Sequence, residues 1–340
     1  MDSEDQLVNR IAKAIPSWRG AVSGKALKGG VRLGIGDDSA VISPDGKTDW
    51  VISCDAFMQD VHFLPDRHPP DSVGYKCLVR ATSDLAAMGA VPRLFLLTLA
   101  LPKTRLNSWL DGFLAGMRRA ARKMGMRLAG GDTTKFSAVS ISITVLGEIP
   151  RGLAVTRAGA KPGDLIYVSG KLGRAQLGLE LITKGFRKNR RYGPLLRPHL
   201  YPEIRLKLGS WLAQHRLASA MMDISDGLST DLPRLCKASG VGARLIAAHM
   251  PCVEIPAGLQ KLLPKRDLDP LQMALHGGED YELLFTVPVR KVKHLREAPG
   301  FSGLTAIGEI TKKKDLLIVS SNQPQGQKLR SLGWDPFRKK

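Results

Sequence analysis

A chain of 340 residues is longer than one hydrophobic core usually serves, so two domains are expected. Its 43% hydrophobic and 24% charged residues exclude a disordered or fibrous protein, and its apolar runs are far shorter than the roughly 20 residues of a membrane helix. The net charge of +20 favours polyanionic partners, yet the bases are scattered and aromatics make up only 6%, so specific nucleic-acid binding is not expected.

A helix is predicted from Ser3, where Ser3 and Gln6 fit a capping box and Leu7, Ile11 and Ile15 recur at helical spacing until Pro16. The acidic start Met1-Asp2-Ser3-Glu4-Asp5 leads into no apolar run, so a cytoplasmic protein without a secretory signal is expected. Trp50 to Ser53 reads as a strand, Ser72 to Met88 as a helix stopped by Gly89, and Leu94 to Leu101 as a buried strand. Leu106, Leu110, Phe113, Met117 and Met124 mark a further helix, and Ile141, Ile143 and Val145 alternate as in a half-buried strand. The Pro-, Gly- and Arg-rich stretch from Glu148 to Gly163 reads as a domain edge, dividing the chain into 1–150 and 151–340. Beyond it a strand (Asp164 to Ser169), a helix (Arg174 to Thr183), a basic loop (Arg187 to Pro202) and strands at 283–287, 304–310 and 316–319 are expected. Helices and strands mix in both halves without regular alternation, so the class is α+β.

Cys54, Cys77, Cys236 and Cys252 form no C-x-x-C pair and read as reduced packing residues, not zinc ligands. The informative feature is where the acids lie. A strongly basic chain concentrates them in otherwise uncharged Gly- and Ser-rich segments: Gly34-Ile35-Gly36-Asp37-Asp38, Ser53-Cys54-Asp55, Ser83-Asp84, Gly130-Gly131-Asp132, Asp223-Ile224-Ser225-Asp226-Gly227 and Gly277-Gly278-Glu279-Asp280. One such segment is ordinary turn and capping chemistry; six together suit a hard cation held by a few carboxylates and substrate phosphates. Asp84 is the sharpest case, because the apolar residues after it force a carboxylate toward a helix interior, where it needs a cation or donors. Gly20 to Ala26 resembles a phosphate-binding loop but is one residue short and lacks its Ser or Thr, and Gly34-Ile35-Gly36 lacks the third glycine of a dinucleotide fingerprint.

In their order, Leu33-Gly34-Ile35-Gly36-Asp37-Asp38, Ser83-Asp84-Leu85-Ala86-Ala87-Met88-Gly89-Ala90, Gly130-Gly131-Asp132-Thr133-Thr134, Arg157 to Asp164, Asp223-Ile224-Ser225-Asp226-Gly227-Leu228 and Gly277-Gly278-Glu279-Asp280-Tyr281-Glu282-Leu283 resemble the thiamine-monophosphate kinase family. The resemblance runs from about Leu33 to Trp334. It implies ATP-dependent phosphorylation of thiamine monophosphate to thiamine diphosphate, by two α+β domains in a homodimer whose N-terminal sheets pair. It also implies several Mg²⁺ ions at Asp38, Ser53, Cys54, Asp55, Asp84, Asp132, Asp223 and Asp226, ATP at Gly131, Asp132, Arg157 and Ser225, and thiamine monophosphate at His62, Glu279 and Trp334. The chain departs from the family at Cys54, usually threonine, whose sulfur is a poor ligand for a hard metal and leaves only its carbonyl. It departs again at Ala81, often asparagine. A superfamily relative acting on another small substrate, or a binding module without turnover, is the alternative reading.

Overall fold

The protein is described by a computed structural model covering residues 3–15, 30–261, 268–297 and 300–337. Pro16, the Gly20 to Ala26 stretch and the basic tail from Arg338 lie outside these residues. Helix α1 (Glu4–Ala14) begins where expected, and Ser3 Oγ accepts from Gln6 N at 3.4 Å. Its apolar stripe is not a core face, however: Ile11 and Ile15 are half exposed. The helix is instead held by charge, through Arg234 to Glu4 and Lys237 to Asp5, both 3.3 Å.

Strands β1 (Val31–Leu33), β2 (Ala40–Ile42) and β3 (Thr48–Met58) precede α2 (Pro70–Ala87), β4 (Val91–Leu101), α3 (Ser108–Met124), β5 (Arg127–Lys135) and β6 (Ser140–Pro150). They form a sheet in the order β1-β2-β3-β6-β4-β5, in which only β4 and β5, joined across α3, run parallel. β6 alternates as predicted, with Ile141, Ile143 and Val145 buried. β4 is not the fully buried strand expected: Phe95, Leu97, Leu99 and Leu101 point inward while Leu96 is exposed, because no described element covers the sheet's other face there. Helices α2 and α3 cross at contact distance. A Cβ on Gly74 would stand 1.9 Å from Phe113 O, and one on Gly116 1.8 Å from Asp71 O.

The second sheet is built from β7 (Leu165–Val168), β8 (Ala220–Asp223), β9 (Gly242–Ile246), β10 (Leu283–Val287), β11 (Thr305–Thr311), β12 (Leu316–Ser320) and β13 (Gln323–Lys328), in the order β13-β12-β9-β11-β7-β10-β8. Its helices are α4 (Arg174–Thr183), α5 (Gly193–Leu200), α6 (Leu206–Gln214), α7 (Leu228–Ser239), α8 (Ala257–Gln260), α9 (Pro270–His276) and α10 (Val292–Arg296). The basic segment read as a loop folds into 3-10 turns and α5, whose Leu196, His199 and Leu200 are buried beside α4. The class is therefore α+β in two parts, as predicted. Between the sheets lies α2, packed on β3 and β6 and, on its other side, on α6 and β8. Cys77 and Cys236 are packing residues, but Cys54 is exposed on β3, so that part of the cysteine reading is corrected.

Candidate active site

Three elements meet at one group of carboxylates. Asp38 lies in the turn between β1 and β2, Asp84 in the last turn of α2, and Asp223 at the end of β8; their ligand oxygens all fall within 4.8 Å of one another. Ser53 Oγ donates to Asp84 in a short bond, and Ser83 Oγ donates to Asp223 at 2.6 Å. Burial pushes all three carboxyl pKa values up. Repulsion adds to this: Asp223, Asp55 and Asp38 act on Asp84, and Asp38 acts on Asp223, which reaches about 7. Asp38 Oδ2 is buried and has no hydrogen-bond partner. An all-oxygen donor set with an orphaned acceptor and excess negative charge fits a hard divalent cation such as Mg²⁺.

Arg157, in the segment joining the two sheets, bonds Asp38 Oδ1 through Nε at 3.1 Å and Nη2 at 2.6 Å. Its backbone N–H lies 3.1 Å from both oxygens of Asp37. Asp37, which the sequence reading leaves without a role, is thus the clamp that fixes the course of this segment. Asp55 on β3 accepts from Arg80 Nε at 2.9 Å. Cys54 points to the opposite face of β3, its sulfur 3.5 Å from Ser142 Oγ. Gly131 and Asp132 are not brought to the cluster. They lie on β5, exposed, and β4 and β6 separate them from β3, a gap of roughly 14 Å at normal strand spacing.

Beside the carboxylates opens a cavity of about 840 Å³ lined by His62, Ser225, Asp226, Glu279 and Trp334, among others. His62 Nδ1 accepts from Met58 N at 2.9 Å, and its ring stacks on Phe57. Glu279 adopts a left-handed φ of +66°, fixed by its N–H to Ser225 O at 2.7 Å. Lys76 meets its Oε2 at 2.8 Å. Burial favours the neutral acid there, but Lys76, His199 and Arg80 outweigh it and hold Glu279 at about 2. Trp334 N donates to Asp226 O at 2.8 Å, and this close approach needs the preceding glycine: a Cβ on Gly333 would lie 2.2 Å from that oxygen. The indole remains 42% exposed at the cavity's edge. Asp226 itself is paired with Arg234 at 2.5 Å and lies outside the three-carboxylate group.

The charge of this cavity is opposite to that of the protein. Asp60, Glu180, Asp226, Asp269, Glu279 and Asp335 line it, and Arg80 is its sole arginine or lysine among the described residues. Burial, with help from Arg80 or Lys76, pushes His62 and His68 down to about 4 and His199 to about 3, so they add no positive charge at neutral pH. A positively charged ligand is favoured there.

Residues 36–149 match the N-terminal domain, and residues 161–319 the C-terminal domain, of the AIR synthase related proteins. Thiamine-monophosphate kinase of Escherichia coli O157:H7 is 40% identical over 301 residues, covering 86% of this chain and 89% of the relative. That of Bacillus subtilis (strain 168) is 31% identical over 314 residues, covering 91% and 94%. The chain belongs to the thiamine-monophosphate kinase family. The structure of AaThiL complexed with AMPPCP and TMP superposes with a TM-score of 0.81 at 30% identity, over 98% of this chain and 97% of that one. E. coli HypE, a hydrogenase maturation protein, shares the fold with a TM-score of 0.67 at 19% identity.

For a kinase of this family the sequence reading misses Asp37, Ser83, Lys76 and His199. Ser83 stands directly before Asp84, and Lys76 lies in a largely apolar helix one turn before Arg80; that placement is a signal, since a buried ammonium requires a partner. Nothing in the sequence around His199 marks it.

Proposed function

We propose that the protein transfers the γ-phosphoryl group of ATP directly to the phosphate of thiamine monophosphate, giving thiamine diphosphate and ADP. The observation that carries this reading is the juxtaposition of a buried carboxylate group fit for a cation with an acidic, aromatic-edged cavity in a protein of charge +20. Family membership and the likeness to a solved complex with an ATP analogue and TMP support it.

Asp38, Asp84 and Asp223 would hold Mg²⁺, with Ser53 and Asp55 beside them; when bound it would supply positive charge that offsets the charge of the phosphate groups. Arg157 would contact the nucleotide phosphates, and Ser225 shapes the turn beneath them by accepting from Glu279 N. No protein nucleophile is needed, because the attacking oxygen is an ionised phosphate oxygen of the acceptor. His62, Glu279 and Trp334 would orient the rings of thiamine monophosphate, Trp334 by stacking and Glu279 by its fixed negative charge. Cys54 would contribute only through its carbonyl.

We also infer a homodimer. β5 is exposed along its whole length, and Leu96, Leu128 and Phe136 leave apolar area on the same sheet. Pairing of two such sheets covers that area and lets Gly131 and Asp132 of one protomer complete the site of the other. The two domains are 1–150, carrying that sheet, and 151–340. Among the described residues no helix is long and apolar enough to cross a membrane, and a cytoplasmic kinase fits that observation.

Incubation with ATP, Mg²⁺ and thiamine monophosphate, followed by chromatographic identification of the product, tests the reading. ADP release that depends on thiamine monophosphate and yields thiamine diphosphate supports it; ATP turnover indifferent to thiamine monophosphate would overturn it.

A further inference from the structure

His68 and His199 line the cavity and Lys76 is buried behind them, three polar side chains that phosphoryl transfer does not require. All three are under 5% exposed. Lys76, on α2, reaches Glu279 Oε2 at 2.8 Å and His199 Nε2 at 3.4 Å. His68 Nε2 and His199 Nε2 are 3.0 Å apart. The backbone fixes which atoms hold the protons. Leu64 N–H donates to His68 Nδ1 at 3.0 Å, so that nitrogen is an acceptor and the proton of neutral His68 resides on Nε2. The Leu64 carbonyl, 3.1 Å from the same nitrogen, already accepts from Arg67 N and His68 N and needs no third donor. The Nε2 proton of His68 faces His199 Nε2, which becomes the acceptor, and the proton of His199 is left on Nδ1. Lys76, a donor only, faces the same His199 Nε2 and enforces the same tautomer.

His199 Nδ1–H is therefore a buried donor in the cavity lining that makes no aligned hydrogen bond among the described residues, although the Ala175 backbone also acts on the ring. It lies 3.3 Å from Glu279 Oε2, near enough to be part of one recognition surface but not aligned as a hydrogen bond with it. We propose that His199, locked in its Nδ1–H tautomer by His68 and Lys76, forms with Glu279 a donor–acceptor pair that recognises the edge of an amino-substituted N-heteroaromatic ring. The N–H meets the ring nitrogen and the carboxylate meets the exocyclic amino group. The aminopyrimidine of thiamine has that edge, with acceptor and donor side by side. His199 is the contact and His68 and Lys76 are positioning residues; the left-handed backbone at Glu279 places its carboxylate 3.3 Å from His199 Nδ1. This rests on reading the cavity as the acceptor site.

The test compares binding of thiamine monophosphate with that of the analogue in which C–H replaces the ring nitrogen beside the pyrimidine amino group, measured by calorimetry on the full chain with melting temperature and ATP KM as controls. The intact protein should prefer the ring-nitrogen form by roughly 5- to 100-fold, the range for leaving a buried donor unsatisfied. His199→Phe should bind both forms alike with ATP KM unchanged. His199→Asn, whose amide N–H can replace Nδ1–H, should recover part of the preference. His68→Phe, which leaves His199 in place but removes the tautomer lock, should lose part of it. Should His199→Phe not fold, the ratios for His199→Asn and His68→Phe decide the matter. A protein that phosphorylates thiamine monophosphate yet shows no preference for the ring nitrogen, or variants that keep it in full, would overturn this inference and leave the kinase reading standing. Absence of acceptor binding and turnover in the intact protein would overturn both.

Discussion

Arg157 holds one oxygen of Asp38, at 2.6 Å through Nη2, and the other oxygen of Asp38 is buried without a partner. The same carboxylate thus serves a fixed cation in the chain and offers its second lone-pair set to the Asp84–Asp223 group. Breaking a buried pair leaves an uncompensated charge, which costs about 3 kcal/mol or more. Arg157→Gln should therefore lower the melting temperature in EDTA, and Mg²⁺ should restore more stability to the variant than to the parent. Equal Mg²⁺-induced shifts in calorimetric scans of both would mean that Arg157 and the metal do not share Asp38.

Asp84 and Asp132 make opposite demands on assembly. Asp84→Asn and Asp132→Asn should each nearly abolish turnover, with the fold retained by circular dichroism, because each removes a carboxylate assigned to metal. If Asp132 serves the partner's site, refolding an equal mixture of the two inactive variants should restore about a quarter of the parent rate, since half the dimers are mixed and each has one intact site. Recovery of no activity in the mixture would place Asp132 in its own protomer's site or outside the chemistry.

The carboxylate group also sets a pH dependence. Burial and Asp38 raise Asp223 to about 7, and burial and Asp223 raise Asp84. A raised carboxyl pKa means that the folded protein keeps protons that the unfolded chain gives up near pH 4, so stability is lost as pH rises through about 7. His62, His68 and His199, with lowered pKa values, act in the opposite sense, but only below their unfolded value of roughly 6.5. Between about pH 6.5 and 8 the metal-free protein should therefore lose stability, and Mg²⁺, competing with those protons, should stabilise more at pH 8 than at pH 6.5. Asp223→Asn should flatten the pH dependence of the Mg²⁺ effect. Thermal scans with and without EDTA across this range provide the check.

Trp334 is held by its backbone hydrogen bond to Asp226 O and its indole is 42% exposed, so replacing the ring should leave the site's frame intact. Stacking on a heteroaromatic or cationic ring contributes roughly 0.5–2 kcal/mol, so Trp334→Ala should raise the acceptor KM by about 2- to 30-fold. The ATP KM should stay within twofold, roughly the effect of 0.4 kcal/mol. Steady-state kinetics with each substrate varied separately decide it; a loss of ATP affinity with acceptor affinity unchanged would return Trp334 to a purely structural role.

Local pattern was enough to find much of this protein. The alternation of Ile141, Ile143 and Val145 reports a half-buried strand, because side chains two apart share a face, and the Arg174 to Thr183 helix is read within its true bounds. The six acid-bearing segments stand out because carboxylates in uncharged, glycine-rich turns have no local reason to be there. Periodicity names a face but not what covers it, and so the stripe of α1 looks like core although Arg234 and Lys237 dock the helix by charge. The short strand Ala220–Asp223 carries no β-branched residue to announce it, and the helix over 193–200 is hidden in a basic, proline-containing stretch. Only the tertiary structure decided which acids converge. Asp38, Asp84 and Asp223 meet because α2 is trapped between two sheets, whereas Asp132, in an equally suggestive segment, lies on β5, three strands away from β3. The pairing of Lys76 with Glu279 and the ordering of protons through His68 and His199 depend on contacts between residues distant in the chain, and no local signal encodes them.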